Sequence, residues 1–165
     1  MHRALAELEA AITIAKASTA DLPLVRECLA EAFEPYRSDY TTEMFEDTVP
    51  SVDALAQRAQ QMTIWVARAA DGTVIGTIAN GIGSEGVGHL RGMAVSGNHH
   101  GAGVAARLLR AAEQELRERG CGAVTLDTTA PLVRAMNFYE KHGYRRTGRH
   151  YDKLGMVLIE HRKSL

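Results

Sequence analysis

Residues 89–127 constrain the fold more than any other stretch. A strand-like segment, His89 to Val95, leads through Gly101-Ala102-Gly103 into residues with helical apolar spacing: Val104, Leu108, Leu109, Ala112 and Leu116. Gly120 supplies a stop, and Ala123 to Asp127 reads as a second strand. Strand, helix and strand in succession make a βαβ unit, whose strands pair in parallel beneath the crossing helix. Upstream, Thr63 to Ala69 and Thr73 to Gly81 flank Asp71-Gly72, a hairpin turn, and with His89 to Val95 they form a meander. Antiparallel strands followed by βαβ exclude a fully parallel sheet. The expected class is α/β of the α+β kind: a central mixed, mostly antiparallel sheet flanked by helices.

The remaining segments extend this order. Residues 2–10 favour helix and form a candidate N-terminal helical extension, and Ala11 to Ala17 reads as a first strand. Ser18-Thr19-Ala20-Asp21 offers N-caps for a helix carrying Leu22, Val25, Leu29 and Phe33, ended by Pro35. Residues 36–61 hold a second helical region, broken by Pro50, with Val52, Leu55 and Ala59 as its stripe. A helix opened by Pro131 carries Leu132, Ala135, Met136 and Tyr139 and stops at Gly143. Tyr144 to Tyr151 and Leu154 to Ile159 read as a closing hairpin. With 165 residues, no repeat and no low-complexity linker, residues 1–165 are expected to be one domain. No apolar run approaches the about 20 residues of a spanning helix. Residues 1–30 lack a basic segment followed by an apolar one. Cys28 and Cys121 are isolated and build no disulfide framework. A cytoplasmic location is expected, with no membrane partner.

The formal net charge of −1 hides a split, −6 over residues 1–64 and +5 over residues 65–165. The near-zero total argues against bulk nucleic-acid binding, while the split suits an anionic ligand on the C-terminal half and a cationic one near the N-terminal half. Two glycine motifs bear on the anion. Gly81-Ile82-Gly83-Ser84-Glu85-Gly86 spells GxGxxG but leads into a strand, so it reads as a hairpin connection. His100-Gly101-Ala102-Gly103-Val104-Ala105 opens a helix, whose first amides lack intrahelical partners and suit a pyrophosphate. A dinucleotide is one candidate, with Asp127 on a ribose. Five residues separate Val95 from Gly101, however, where a Rossmann turn is tight. Coenzyme A is the other candidate.

Val95-Ser-Gly-Asn-His-His-Gly-Ala-Gly-Val-Ala-Ala-Arg-Leu-Leu resembles the acyl-CoA-binding motif of the GNAT N-acetyltransferases, Q/R-x-x-G-x-G/A, with His100 in place of Gln or Arg. Phe138-Tyr139-Glu140-Lys141-His142-Gly143-Tyr144 resembles the family's FYEKxGF signature, and the two stand in the family's order. The resemblance runs from about Ile12 to Glu160 and implies a GNAT-like fold with acetyl-CoA as co-substrate. It implies that Met93, Ala94 and Val95 present backbone to the pantetheine arm. It assigns the pyrophosphate to His100, Gly101, Ala102, Gly103, Val104 and Ala105, and adds Phe138 to the cofactor contacts. Tyr139 matches the tyrosine that protonates the departing thiolate, while Leu132 stands where many members carry Asn. His89 falls near the family's general base, with Glu85 as the alternative. Attack is direct, without a covalent enzyme intermediate.

The expected acceptor is a primary amine of a small molecule. Residues 33–61 and the loop after the last helix would shape its site. Glu34, Asp39, Glu43, Glu46 and Asp47 cluster there with Tyr36 and Tyr40, and Arg145, Arg146 and Arg149 could face an anion. No metal is expected, since His99-His100 lacks a matching ligand pattern. The N-terminal helix and the last strand are candidate elements of a homodimer. Two alternatives stay open: a dinucleotide-binding oxidoreductase, and a non-catalytic CoA-binding module on the same fold.

Overall fold

A computed structural model describes the backbone of residues 1–165 and the side chains of all but Leu5, Leu8, Glu9 and Ala10. Helix α1 (His2–Ala10) precedes strand β1 (Thr13–Lys16). Helix α2 (Leu22–Phe33) starts where Asp21 accepts from the Ser18 amide at 2.7 Å and the Ser18 hydroxyl at 3.1 Å. The helical region that follows is three pieces. A 3-10 turn covers Glu34–Asp39, and helices α3 (Thr42–Thr48) and α4 (Val52–Gln61) are each started by a hydroxyl cap. Thr41 and Ser51 accept from the amides of Met44 and Ala54, both at 3.1 Å.

Strands β2 (Thr63–Arg68), β3 (Val74–Ile82) and β4 (Gly88–Val95) form the expected meander. Helix α5 (Val104–Glu118) crosses to strand β5 (Ala123–Thr128). Helix α6 (Val133–Lys141) begins two residues beyond Pro131, which sits in the preceding turn. Strands β6 (Arg145–Lys153) and β7 (Met156–Ser164) close the chain. Their hairpin turns at Leu154-Gly155, and β7 runs five residues past the expected end at Ile159. The extension is polar but pairs on both sides, Arg162 lying opposite Thr125 and also opposite Arg145.

The seven strands form one sheet in the order β1-β2-β3-β4-β5-β7-β6. Only β4 and β5 pair in parallel, as the βαβ reading requires. Apolar side chains bury both faces. Leu108, Leu109 and Leu116 of α5 join Tyr139 and Tyr144 in one cluster, and Val25, Leu29, Phe45 and Leu55 from α2–α4 form the other. Helix α5 lies close on the sheet because small residues admit it. A Cβ added at Gly88 would come within 2.6 Å of Leu116, and one at Gly76 within 2.9 Å of Leu108. No described helix is long and apolar enough to cross a membrane.

Candidate active site

The βαβ unit leaves an opening in the sheet. Strands β4 and β5 pair only over Gly88–Leu90 and Val124–Leu126, then part, although β4 continues to Val95 and β5 to Thr128. At that point β4 also bulges. Thr77 faces Ala94 and Ala79 faces Arg91, so Gly92 and Met93 together oppose Ile78. Gly92 has φ +63°, a conformation that favours glycine. Met93, Ala94 and Val95 thus follow the bulge on a stretch of β4 with no partner on its β5 side. Ala94 is buried, and Met93 and Val95 are half-buried.

The glycine junction lies beyond this stretch. Gly101 and Gly103 adopt φ +84° and +73°, and the Arg107 amide reaches back to the Gly103 carbonyl at 3.1 Å. The amides of Val104 and Ala105 belong to the first turn, which has no intrahelical acceptors for them. Ala102 sits in the loop between the two glycines. His100 does not point away from the opening. Its Nε2–H donates to the Val95 carbonyl at 2.9 Å, which leaves Nδ1 to accept from Arg134 Nη1 at 2.7 Å. The two N-terminal ends, of α5 and α6, are thereby linked across the mouth. Arg134 carries no sequence signal beyond being basic, on the exposed side of α6.

Where β4 and β5 part, a cavity of about 230 Å³ opens, lined by His89, Arg91, Gly92, Asp127, Tyr151 and Lys153 among others. The half-buried His89 ring meets Thr125 Oγ1 through Nδ1 at 3.0 Å, and its Nε2 is 3.9 Å from Asp127 Oδ2. Burial pushes its pKa below the usual 6.5 and the Asp127 charge opposes this, so the ring is neutral at neutral pH. Tyr151 donates a short hydrogen bond to the same Asp127 carboxylate. Burial, that hydrogen bond and the Asp127 charge hold the Tyr151 hydroxyl protonated. The sequence offers Asp127 only as a ribose ligand and singles out no role for Tyr151. Their signal was position, since ligands gather beyond the carboxyl ends of strands.

The structure separates the two base candidates. Glu85 is exposed in the β3–β4 turn, with φ +59°, and does not line the cavity. Tyr139 is buried in the α5-side core, its ring edge-on to Phe138 at 5.4 Å and to Tyr144 at 5.6 Å. Burial raises its pKa, and its hydroxyl has no hydrogen-bond partner among the described residues. It does not line the cavity, whereas Leu132 does. Phe138 is half-buried and stacks at 4.3 Å on His142. The acidic cluster disperses. Glu34 grips Arg37 on the surface, and Asp47 turns inward to Arg91 and Lys153. The basic run lies on the edge strand, where Arg149 pairs with Glu160.

The acetyltransferase (GNAT) family model matches residues 23–144. The mouse protein named probable N-acetyltransferase family 8 member 5 is 28% identical over 132 residues, 76% of this chain and 56% of that protein. Human N-acetyltransferase 8B is 31% identical over 68 residues, 41% of this chain and 30% of that protein. The chain therefore spans about half, or less, of the curated relatives it matches. Among solved structures, the PaiA N-acetyltransferase of Thermoplasma acidophilum in complex with coenzyme A is 22% identical, with a TM-score of 0.77 over 93% of this chain and 99% of that one. A GNAT-family acetyltransferase of Staphylococcus aureus Mu50 gives 0.80 at 16% identity, over 94% and 99%. The ribosomal-protein-S18-alanine N-acetyltransferase of Escherichia coli gives 0.73 at 18% identity, over 93% of each. At these identities the likeness is one of fold. The family match covers the meander, the open β4–β5 edge and the glycine junction, and the chain belongs to the GNAT acetyltransferase family.

Proposed function

We propose that this chain is an acetyl-CoA-dependent N-acetyltransferase that transfers acetyl to the primary amine of a small molecule by direct attack. One observation carries the reading. A half-strand with a free edge, Met93 to Val95, lies between the start of α5, whose first amides have no intrahelical acceptors, and a cavity lined by the neutral His89 imidazole. The residues present fit coenzyme A. The α5 amides and the linked His100–Arg134 pair suit its phosphates, and the free β4 edge suits its amide-bearing arm.

Acetyl-CoA supplies the thioester carbonyl that the amine attacks and the sulfur that leaves. His89 takes one proton from the ammonium, directly or through water, so that nitrogen presents its lone pair. The C–N bond forms and the C–S bond breaks; the second nitrogen proton passes to water, and a protein hydroxyl gives its proton to the departing sulfur and regains one from water, leaving amide, thiol and one proton on His89. Tyr139 is proposed for that donation. Burial keeps it protonated, and no described group competes for its hydrogen. The backbone amide near Val95 is suited to the carbonyl oxygen as charge develops on it.

Calorimetry with acetyl-CoA tests the reading, together with thiol release across an amine panel. Binding in the micromolar range and turnover with at least one amine are expected. No binding near millimolar overturns it, and binding without turnover on any amine points to a non-catalytic module.

A further inference from the structure

The same cavity holds charges that acetyl transfer leaves without a role. Arg58 of α4, Arg91 of β4 and Lys153 of β6 line it around one carboxylate, Asp47 of α3. Asp47 accepts from Arg91 at 3.1 Å and Lys153 at 2.9 Å, both through Oδ2, and its charge is shared among these two cations and Arg58. The Arg58 side chain makes no hydrogen bond and no ion pair within 4.0 Å with any described residue. Its guanidinium lies against the β4 bulge, where a Cβ built on Gly92 would come within 3.2 Å of Nη1. Burial and the neighbouring Arg91 pull its pKa down to about 10, against the opposing pull of Asp47, and it stays charged at neutral pH. Arg58, Arg91 and Asp47 also form the wall shared with a neighbouring cavity of about 690 Å³, which Arg26 and Glu46 help to line.

Three cations thus share the one carboxylate of Asp47, and a half-buried guanidinium whose side-chain donors meet no protein acceptor is suited to a further anion. Acetyl-CoA does not bring one here. Its charges are on phosphates, suited to the start of α5, and its arm and acetyl group are neutral. An anion beside Gly92 therefore belongs to the acceptor. The planar guanidinium fork matches a carboxylate through two parallel hydrogen bonds. His89 and the Asp127 carboxylate line the same cavity and suit an ammonium group.

We propose that Arg58, backed by Arg91 and Lys153, binds a carboxylate of the acceptor, so that the acceptors are amino acids or close relatives with a free carboxylate, not plain amines or polyamines. This rests on the acetyltransferase reading above. It also reverses the charge expected of the acceptor site. The acidic excess of residues 1–64 is not what Arg58 presents to the cavity.

The test compares L-amino acids with their carboxamides and with spermidine as acceptors, at saturating acetyl-CoA. The carboxylate form is expected to be favoured by about tenfold or more in kcat/KM, because the amide leaves the guanidinium without its partner. Arg58→Gln should bring that ratio near one, chiefly through KM, and Arg58→Lys should retain part of it. A second readout needs no chemistry: calorimetry of N-acetyl amino acids and their carboxamides in the presence of coenzyme A. Selective binding of the carboxylate form, lost in Arg58→Gln, supports the proposal. Arg58→Gln should also raise the thermal midpoint by relieving the crowding with Arg91. Equal use of carboxamides or spermidine, or a preference that survives Arg58→Gln, overturns it. Transfer to amines without carboxylate preference leaves the acetyltransferase reading standing. Absence of acetyl-CoA binding removes that reading, while the calorimetric preference still decides for or against Arg58.

Discussion

At the scale of single residues, burial and partners decide which polar groups can act. In sequence His89 is the candidate base and Glu85, four positions earlier, its alternative. The strand carries His89 into the cavity, and the left-handed turn leaves Glu85 in solvent. The pH dependence follows from the direction of the His89 shift. Burial disfavours the imidazolium, so its pKa lies below 6.5 and the base form persists into mildly acidic solution. The acid limb of kcat/KM is expected below pH 6.5, with activity falling as His89 gains its proton. Asp127→Asn removes the charge that opposes the shift, and the limb should move further to the acid side. His89→Gln should lower kcat/KM by about 10²–10⁴ and abolish the limb. A limb unmoved by both substitutions would take His89 out of proton transfer.

At the scale of elements, the working feature is a strand that fails to pair. Gly92 permits the bulge, and Gly92→Ala tests it. An alanine at φ +63° costs about 1–2 kcal/mol, and its methyl group would press on Arg58. A loss of that order in urea unfolding is expected, with weakened acetyl-CoA binding. Gly97→Ala, with open space around its Cβ, should change neither. Glycine inside a strand is a bulge signal, but its register against Thr77 and Ala79 depends on distant residues, so the bulge and the opening were not legible in sequence. The start of α2, the meander and the glycine junction are legible in the sequence, because Ser and Asp caps, Asp-Gly turns and apolar spacing act locally, whereas the Thr41 and Ser51 caps that divide residues 36–61 are not read there. Nor is the length of β7. Glu160 to Ser164 looks like surface, and two neighbouring strands hold it in the sheet. Arg58 is a similar case. It follows Leu55 by three positions on α4, and only the folded chain shows that its guanidinium has no hydrogen-bond partner among the described residues.

For the whole molecule, the charge split between residues 1–64 and 65–165 is drawn on by the fold itself. Asp21 pairs with Arg68 at 2.6 Å, and Asp47 holds Arg91 and Lys153, so acidic residues of the first part tie down basic residues of the second. These ties make stability depend on pH in a stated direction. The Arg68 hydrogen bond holds the Asp21 carboxyl below its usual range. Burial would raise Asp47, but Lys153 and Arg91 outweigh it. Both contributions are present above the unfolded carboxylate pKa, about 4, and are lost as pH falls further. His161 acts earlier. It is wholly buried, with Nε2 on Thr128 at 2.8 Å and Nδ1 unpartnered among the described residues, and burial lowers its pKa below 6.5. The unfolded chain binds that proton first, so stability falls as pH drops below about 6.5, with a slope of at most about 1.4 kcal/mol per pH unit for this one group. Urea unfolding from pH 8 to 3 is therefore expected to show a plateau, a decline below 6.5 and a steeper decline below 4. His161→Gln keeps a hydrogen-bonding group for Thr128 without a titration, and should flatten the first decline while leaving the second. Asp21→Asn should lower the plateau and shrink the second. A first decline of unchanged slope in His161→Gln would assign it to another group, with His89, also shifted downward by burial, the next to substitute.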